Sequence, residues 1–176
     1  MWTYVLIAVL IAAAIVAFLI VRQPDTFRIE RSAVIDAPPA RLHALVNDFN
    51  GWSRWSPWAR LDPAARNGFE GSSNGPGAAF YWSGNSKVGE GRMTITESRP
   101  NELVRIRLEF KRPMAATNEA LFTFRPEAGG TRVTWSMTGV NTLTGKAINL
   151  VTSFDRMVGK SFEDGLANLA VEAKRA

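Results

Sequence analysis

Cysteine is absent from this sequence of 176 residues, and histidine occurs once, as His43. The missing cysteine excludes disulfides and thiolate zinc sites. Nucleophilic catalysis usually needs a histidine beside the nucleophile, but His43 falls next to Leu42 inside a short predicted helix. We interpret His43 as a half-exposed structural residue, with a catalytic base as the alternative. The sequence also lacks an HExxH motif, a glycine-rich phosphate loop and an acidic metal cluster, so we predict no catalytic constellation, no metal and no cofactor.

A clustered basic patch is also missing. The formal net charge is +5, but no run of five or more lysines and arginines occurs. In the predicted strands the aromatic side chains alternate away from the basic ones, whereas a nucleic-acid binder presents both on one face. We therefore exclude nucleic acid as a partner and interpret the charge as a solvated basic surface.

Charged residues are missing throughout the segment Trp2–Val21. Its twenty apolar residues would form a helix about 30 Å long, which matches the hydrocarbon core of a bilayer. A cleavable signal peptide is the alternative, but it would begin with basic residues, be shorter and end in small residues. We therefore predict an uncleaved membrane anchor. Arg22, Arg28 and Arg31 follow it, and the positive-inside rule then places the remaining chain in the cytoplasm.

These features divide the chain into a transmembrane anchor at residues 1–22, a linker at 23–26 and one domain at 27–176. Of all residues 46% are hydrophobic, enough for one domain with a core but not for two. Deleting the anchor should leave a folded domain that begins near Thr26.

Alternating apolar and polar residues predict strands along the first part of this domain. The predicted strands span residues 27–35, 78–83, 89–98, 103–110, 118–126 and 131–139, with a further weak strand near Phe69. Pro38 or Pro39 is expected to open a short helix after the first strand. The short connections between the later strands imply antiparallel neighbours, because parallel pairs need a crossover of a dozen or more residues.

Residues 142–173 are predicted to form one long amphipathic helix. Its apolar stripe, at steps of three or four residues, consists of Val151, Phe154, Val158, Phe162, Leu166, Leu169 and Ala173. Gly159 and Gly165 weaken this helix, and Asp155 falls at the edge of the stripe, where a carboxylate needs a partner. Such a stripe requires a broad apolar partner, so we predict an α+β fold in which a curved antiparallel sheet of six or seven strands wraps around the helix.

Four segments carry a resemblance to a known family. They are residues 84–85 (GN), 88–98 (VGEGRMTITES), 133–137 (VTWSM) and 159–169 (GKSFEDGLANL). Together with the order of elements, they resemble the polyketide cyclase/dehydrase branch of the START-like (SRPBCC) superfamily over residues 27–172. The resemblance implies a helix-grip fold with a cavity between sheet and C-terminal helix. It leaves function open, because the superfamily includes lipid carriers, hormone and polyketide binders, cyclases and co-chaperones.

The residues expected to line this cavity are mostly aromatic or contain a thioether. They are Trp55, Trp58, Phe80, Trp82, Met93, Phe110, Phe122, Trp135, Met137, Phe154 and Met157, with Asp155, Asn118, Tyr81 and Arg92 as candidate polar groups. Packing as ordinary core is the alternative interpretation of each large side chain. Small-molecule pockets are mostly apolar with a few placed polar groups, and this composition fits that description.

We therefore expect a membrane-anchored domain that binds a hydrophobic small molecule, lipid or polyketide-like, without chemistry. A cyclase or aromatase acting on a polyketide-like substrate is the first alternative, and it needs Asp155 or His43 inside the cavity with a perturbed pKa. A membrane-tethered interaction module is the second, and it needs an exposed apolar patch of several hundred Å².

Overall fold

Seven strands form one antiparallel sheet in a computed structural model that describes residues 1–175, apart from the side chain of Val151. The strands are β1 (Thr26–Ile35), β2 (Arg66–Glu70), β3 (Ala79–Ser83), β4 (Glu90–Arg99), β5 (Leu103–Arg112), β6 (Ala116–Glu127) and β7 (Gly130–Val140). Their spatial order is β1-β7-β6-β5-β4-β3-β2. Strands β2 to β7 pair with their neighbours in sequence, whereas β1 pairs with β7 and not with β2. The weak strand predicted near Phe69 is confirmed as β2.

Four α-helices and one 3-10 helix complete the chain. They are α1 (Trp2–Val21), α2 (Pro39–Asn47), the 3-10 helix Phe49–Arg54, α3 (Leu143–Val151) and α4 (Phe154–Ala173). Pro39 stands in the first turn of α2, as predicted, because its missing N–H costs nothing there. Helix α4 lies along β1 with Phe162, Leu166 and Leu169 buried in the shared core. This is the helix-grip arrangement expected from the sequence.

The prediction of one continuous helix over residues 142–173 is wrong. The chain leaves helical geometry at Thr152, whose backbone is extended, and resumes it at Phe154. Ser153 accepts a hydrogen bond from the backbone of Arg156 and thereby caps α4, while Asn149 Oδ1 accepts from Phe154 N at 3.0 Å. Threonine and serine compete with helical hydrogen bonds and favour caps, which explains the break. Of the predicted stripe, Val151 has a side chain outside the described part of the chain.

Helix α1 is exposed along nearly its whole length and makes no part of the core. Its most apolar 18 residues have a mean hydropathy of 3.2 and the whole helix of 20 residues is uncharged, so it is long and apolar enough to cross a membrane. The segment that follows is fastened to the domain, because Asn141 N donates to Asp25 O at 2.7 Å and Gln23 Nε2 donates to Lys146 O at 2.8 Å. The joint between α1 and the sheet is therefore fixed by hydrogen bonds.

Candidate functional site

Successive rows of side chains cross the face of the sheet that looks toward α4. Strand pairing aligns Arg31 with Trp135 and Phe122 in the middle of the sheet. Nearer the beginning of β1, it aligns Phe27, Gly139, Asn118, Leu108, Met93 and Phe80 in one row. Because side chains alternate between faces along a strand, every member of these rows points to the helix side. The row that contains Trp135 lies in the deep part of the space under α4, and the row that contains Phe27 lies at one end of that space.

The deep part is filled by aromatic rings. Trp135 stacks on Phe162 of α4 at a centroid distance of 4.2 Å and lies 4.6 Å from Phe122. Trp55 is buried against both Phe122 and Trp135. A Cβ at Gly165 would come within 2.7 Å of the Trp135 ring, so the glycine that weakens the helix is what lets this ring lie against it. Predicted cavity residues Trp55, Phe122 and Trp135 therefore form packed core in this structure.

Two donors within this aromatic cluster lack partners. The indole N–H groups of Trp55 and Trp135 are buried and make no hydrogen bond to any residue that the structure describes. A buried unpaired donor costs on the order of 1–3 kcal/mol, so such groups in native proteins call for an explanation.

The end of the space between the sheet and α4, at the row that contains Phe27, is less tightly packed. Phe27 on β1 meets Phe154 on α4 edge-to-face at 5.3 Å, and Leu108 on β5 faces the same region; all three remain partly exposed. We call this region, together with Phe110 further along β5 and Trp82 on β3, the open end. Met93 and Met137 lie just beneath it and are buried. The open end offers apolar surface that the protein itself does not fully cover.

An aromatic strip extends the open end toward the β2 edge of the sheet. Phe69 on β2, Phe80 and Trp82 on β3, and Phe110 on β5 follow one another, with centroid distances of 5.4, 6.1 and 5.8 Å. The Trp82 indole donates to Val88 O at 2.9 Å, which fixes its ring. A Cβ at Gly91 would lie 2.5 Å from that ring, so glycine is needed beneath it. The strip is a preformed, partly exposed aromatic wall.

Asn118 is the polar group at the open end. It lies on β6 in the same row as Phe27 and Leu108 and is 9% exposed. Its Nδ2 reaches only the thioether sulfur of Met137, at 3.9 Å, and sulfur is a weak acceptor. Its Oδ1 occupies the space where a Cβ on Gly139 would stand. Apart from this weak contact, no residue in the described part of the chain uses the hydrogen-bonding capacity of the Asn118 side chain.

Three other predicted residues lie elsewhere. Tyr81 and Arg92 project from the opposite, outer face of the sheet, where Arg92 pairs with Glu70 at 2.9 Å. Met157 points outward from α4 and is 56% exposed. Trp58, by contrast, lies beside the deep cluster, 5.6 Å from Trp135, and remains partly exposed. The structure thus gathers the apolar candidates on one face and separates from them most of the polar ones.

Asp155 is engaged in a clamp between sheet and helix. Its carboxylate oxygens accept from the guanidinium of Arg31 at 3.1 and 3.2 Å, and Arg31 Nε also donates to Glu163 at 2.9 Å. The Asp155 side chain is 58% exposed. The hydrogen bonds that Arg31 donates to Asp155, and then to Glu163, raise the pKa of Arg31 further above its ordinary value. Asp155 therefore holds α4 to β1 at the protein surface.

His43 is buried, not half-exposed as expected, and lies at the other end of the sheet from the open end. Its Nε2 is 3.0 Å from Ser98 Oγ, and its ring meets Phe124 edge-to-face. Burial lowers the pKa of this imidazole, so the neutral form is favoured. Within residues 1–175, no group of three or more histidine or acidic residues is placed to hold a metal ion.

Two open grooves of about 800 Å³ each lie mainly on the outer face of the sheet. Arg107 and Thr96 contribute to both, with Glu119 in one and Glu109 in the other. Their charged and hydroxyl-bearing walls do not suit an apolar ligand. The open end fits the sequence-based expectation better than either groove.

Comparison with known proteins identifies a family for this fold. The family model described as polyketide cyclase/dehydrase and lipid transport matches residues 26–174. The chain belongs to this family. No curated protein matches it.

Solved structures share the fold at low sequence identity. Protein CV1439 from Chromobacterium violaceum has a TM-score of 0.60 at 16% identity, covering 88% of this chain and 100% of its own. The Aha1 dimer from Colwellia psychrerythraea has a TM-score of 0.56 at 16% identity, with 84% and 96% covered. The di-domain aromatase/cyclase StfQ of the steffimycin pathway has a TM-score of 0.60 at 11% identity, with 85% and 51% covered. These similarities concern the fold alone.

Within the polyketide cyclase/dehydrase and lipid transport family fold, four residues of the site are absent from the predicted cavity residues. Phe27, Phe69 and Leu108 occur only in predicted strands, and Arg31 occurs only as a basic flank of the anchor. Alternation did place Phe27 and Leu108 on the apolar face, so their neighbourhood could have been inferred from a strand register. No local pattern could have brought Arg31 to Asp155, because they are 124 residues apart.

Proposed function

We propose that this protein is a membrane-anchored binding protein for a hydrophobic small molecule of lipid or polyketide-like character. The observation that carries the proposal is the open end, where partly exposed apolar side chains lie on the same face as the buried core. Apolar surface left open inside a grip is stabilised when an apolar ligand covers it, by about 25 cal/mol per Å² removed from water.

The ligand would combine an apolar body with one polar group. Its body would lie along the aromatic strip of Phe69, Phe80, Trp82 and Phe110, and aromatic rings favour flat or flexible apolar partners. Its hydroxyl or carbonyl would pair with the Asn118 amide, whose present partner is a sulfur atom. Such a ligand partitions into bilayers, and a membrane anchor would keep the binding site close to it.

The cyclase alternative has less support than binding. Asp155 is held by Arg31 at the surface, and His43 is paired with Ser98 at the opposite end of the sheet. His43 is therefore remote from the open end, and the Asp155 carboxylate, although it follows Phe154 in the chain, is already engaged by Arg31. The interaction-module alternative needs an exposed apolar patch, and exposed apolar residues do occur on the domain, Leu143 and Ile148 among them.

The binding proposal is tested with cis-parinaric acid, a fluorescent fatty acid, added to the full-length protein in detergent. Energy transfer should quench tryptophan emission, since Trp82 lies at the open end and Trp58, beside the deep cluster, is partly exposed. Phe110→Ser should weaken binding at least about tenfold, because it removes one wall of the aromatic strip. Tyr81→Ser is the matched control, on the outer face of β3, and should bind normally. Equal affinity in both variants, or no quenching in the native chain, would contradict the proposal.

The anchor has its own test. If α1 spans a bilayer, carbonate or high-salt washing should leave the full-length protein in the membrane fraction. Protein recovered in the wash, or a mature chain that begins beyond Val21, would contradict the anchor. The positive-inside pattern favours a cytoplasmic domain, so external protease should leave the domain intact in sealed cells.

A further inference from the structure

Helix α3 turns polar side chains toward the protein and apolar side chains toward the outside. Lys146 faces the protein and is 4% exposed, and Asn149 also faces inward, bonded to Phe154 N. Leu143, Ile148 and Leu150, by contrast, point outward and are 66%, 46% and 43% exposed. An amphipathic helix on a globular domain normally buries its apolar side chains and exposes its lysines. The outward apolar face of α3 therefore suits a surface that is not part of this domain.

Exposed apolar residues flank α3 on both sides. Val140, the last residue of β7, is 69% exposed, and Met157 lies in the beginning of α4. We call these five residues, Val140, Leu143, Ile148, Leu150 and Met157, the docking patch. Single exposed apolar residues are ordinary, but a concentration of them marks an interaction site or a membrane contact.

The docking patch is fixed beside the end of the apolar helix α1. Helices α1 and α3 lie in contact, and Gln23 donates to the backbone oxygen of Lys146 at 2.8 Å. The Lys146 ammonium in turn pairs with Asp25 at 2.6 Å, which lowers the pKa of that carboxyl. Only Arg22 separates Val21 from Gln23, a span of roughly 7 Å. If α1 crosses a bilayer, α3 is held at the surface of that bilayer.

The charges around the docking patch suit lipid headgroups. Arg22 ends α1, and Arg156 stands next to Met157 in the first turn of α4; neither forms an ion pair with a described residue. A basic residue near an anionic membrane surface contributes to attraction through its charge. Apolar side chains at the centre with arginines beside them are typical of interfacial helices.

We propose that the docking patch inserts into the headgroup boundary of the bilayer that α1 spans, so that the domain is docked on the membrane and not only tethered to it. The inference rests on the membrane-anchor part of the proposed function. Docking would turn the open end toward the lipid, because Phe154 follows α3 directly and Phe27 follows the joint. A bilayer-soluble ligand could then reach the aromatic strip without crossing water.

The absence of cysteine from the sequence makes a site-specific test direct. Single-cysteine variants of the full chain, labelled with the environment-sensitive dye NBD, are reconstituted in vesicles of phosphatidylcholine and phosphatidylglycerol. Leu143→Cys reports on the docking patch and Ile11→Cys on the middle of α1. Ala128→Cys, in the exposed turn between β6 and β7, is the matched control. Doxyl-labelled lipid then quenches only dyes that lie within the bilayer.

Docking predicts strong quenching at positions 11 and 143, a blue-shifted emission at 143, and no quenching at 128. Quenching at 11 but not at 143 would overturn docking and leave the anchor intact. Quenching at neither would remove both the anchor and the docking proposal. A blue shift at 143 without quenching, together with disulfide cross-linking between unlabelled Leu143→Cys copies, would show that a second copy covers the patch, and docking on lipid would then be wrong.

Discussion

The guanidinium of Arg31 donates to both carboxylate oxygens of Asp155, at 3.1 and 3.2 Å, across the contact between β1 and α4. The same side chain donates to Glu163 two turns further along the helix. Gly159 makes this possible, since a Cβ there would lie 2.0 Å from Arg31 Nη2. Asp155, the carboxylate at the edge of the apolar stripe, is therefore one half of an ion pair that holds α4 against β1. We call the pairing of Arg31 with Asp155 and Glu163 the clamp.

Removing the clamp should loosen α4. We expect Arg31→Ala to lower the thermal unfolding midpoint of the full-length protein clearly, because two acids on α4 lose their shared partner. Asp155→Asn should have a smaller effect, since Glu163 remains bound. Arg28→Ala on the outer face of the same strand is the control and should change little, as exposed pairs contribute little. Circular dichroism in detergent measures all three; equal midpoints for Arg31→Ala and Arg28→Ala would refute the clamp.

Gly165 should be intolerant of even a methyl group. Alanine is favoured over glycine inside a helix by about 1 kcal/mol, but here its Cβ would meet the buried Trp135 ring at 2.7 Å. We expect Gly165→Ala to reduce the free energy of unfolding by about 1–3 kcal/mol through overpacking. Gly145→Ala in α3, where a Cβ would meet only the ends of two short side chains, should be neutral or stabilising. Urea titration distinguishes the two, and a stabilised Gly165→Ala would contradict the packing described.

Because His43 is buried, the free energy of unfolding should depend on pH. Burial lowers the pKa of His43 below its ordinary value of 6.5, so the unfolded chain takes up a proton more readily than the folded one. This stabilisation is fully present above the ordinary pKa and is lost as the pH falls through 6.5 toward the lowered value. We therefore expect the free energy of unfolding to decline from about pH 7 downward, ahead of carboxylate titration. His43→Gln should lack this early decline; an unchanged pH profile would show that His43 does not cause it.

The joint between α1 and the domain should matter for truncation. A chain that begins at Gln23 keeps the bonds from Gln23 and Asp25 to α3, whereas one that begins at Thr26 loses both. We expect both fragments to be soluble and folded, but the longer one to unfold at a higher temperature, because buried Lys146 keeps its carboxylate partner. Differential scanning fluorimetry compares them. Identical midpoints would mean that the joint contributes nothing to the domain.

Local patterns in the sequence were enough to define the apolar helix α1, the alternation of the strands and the family. Each depends on interactions within a few residues: an uncharged run of twenty, a period of two, a period of three to four. The register places Phe80, Trp82, Phe110 and Asn118 on the helix side of the sheet and Tyr81 on the other side; that the former residues bind a ligand stays a prediction. The sequence also suggested that Asp155 needed a partner without identifying one.

Tertiary structure decided which apolar residues are core and which are open. Trp135 and Phe110 look alike in sequence, since each occupies an apolar position in an alternating strand. Trp135 is sealed because its row lies beneath Phe162, whereas Phe110 lies in a row near the strand ends, where it stays partly exposed. Whether a side chain is covered depends on strand register and on where α4 crosses the sheet, and contacts between residues more than a hundred positions apart set both. The outward apolar face of α3 arose in the same way, from the break at Thr152 and the hydrogen bonds that tie Lys146 to Asp25.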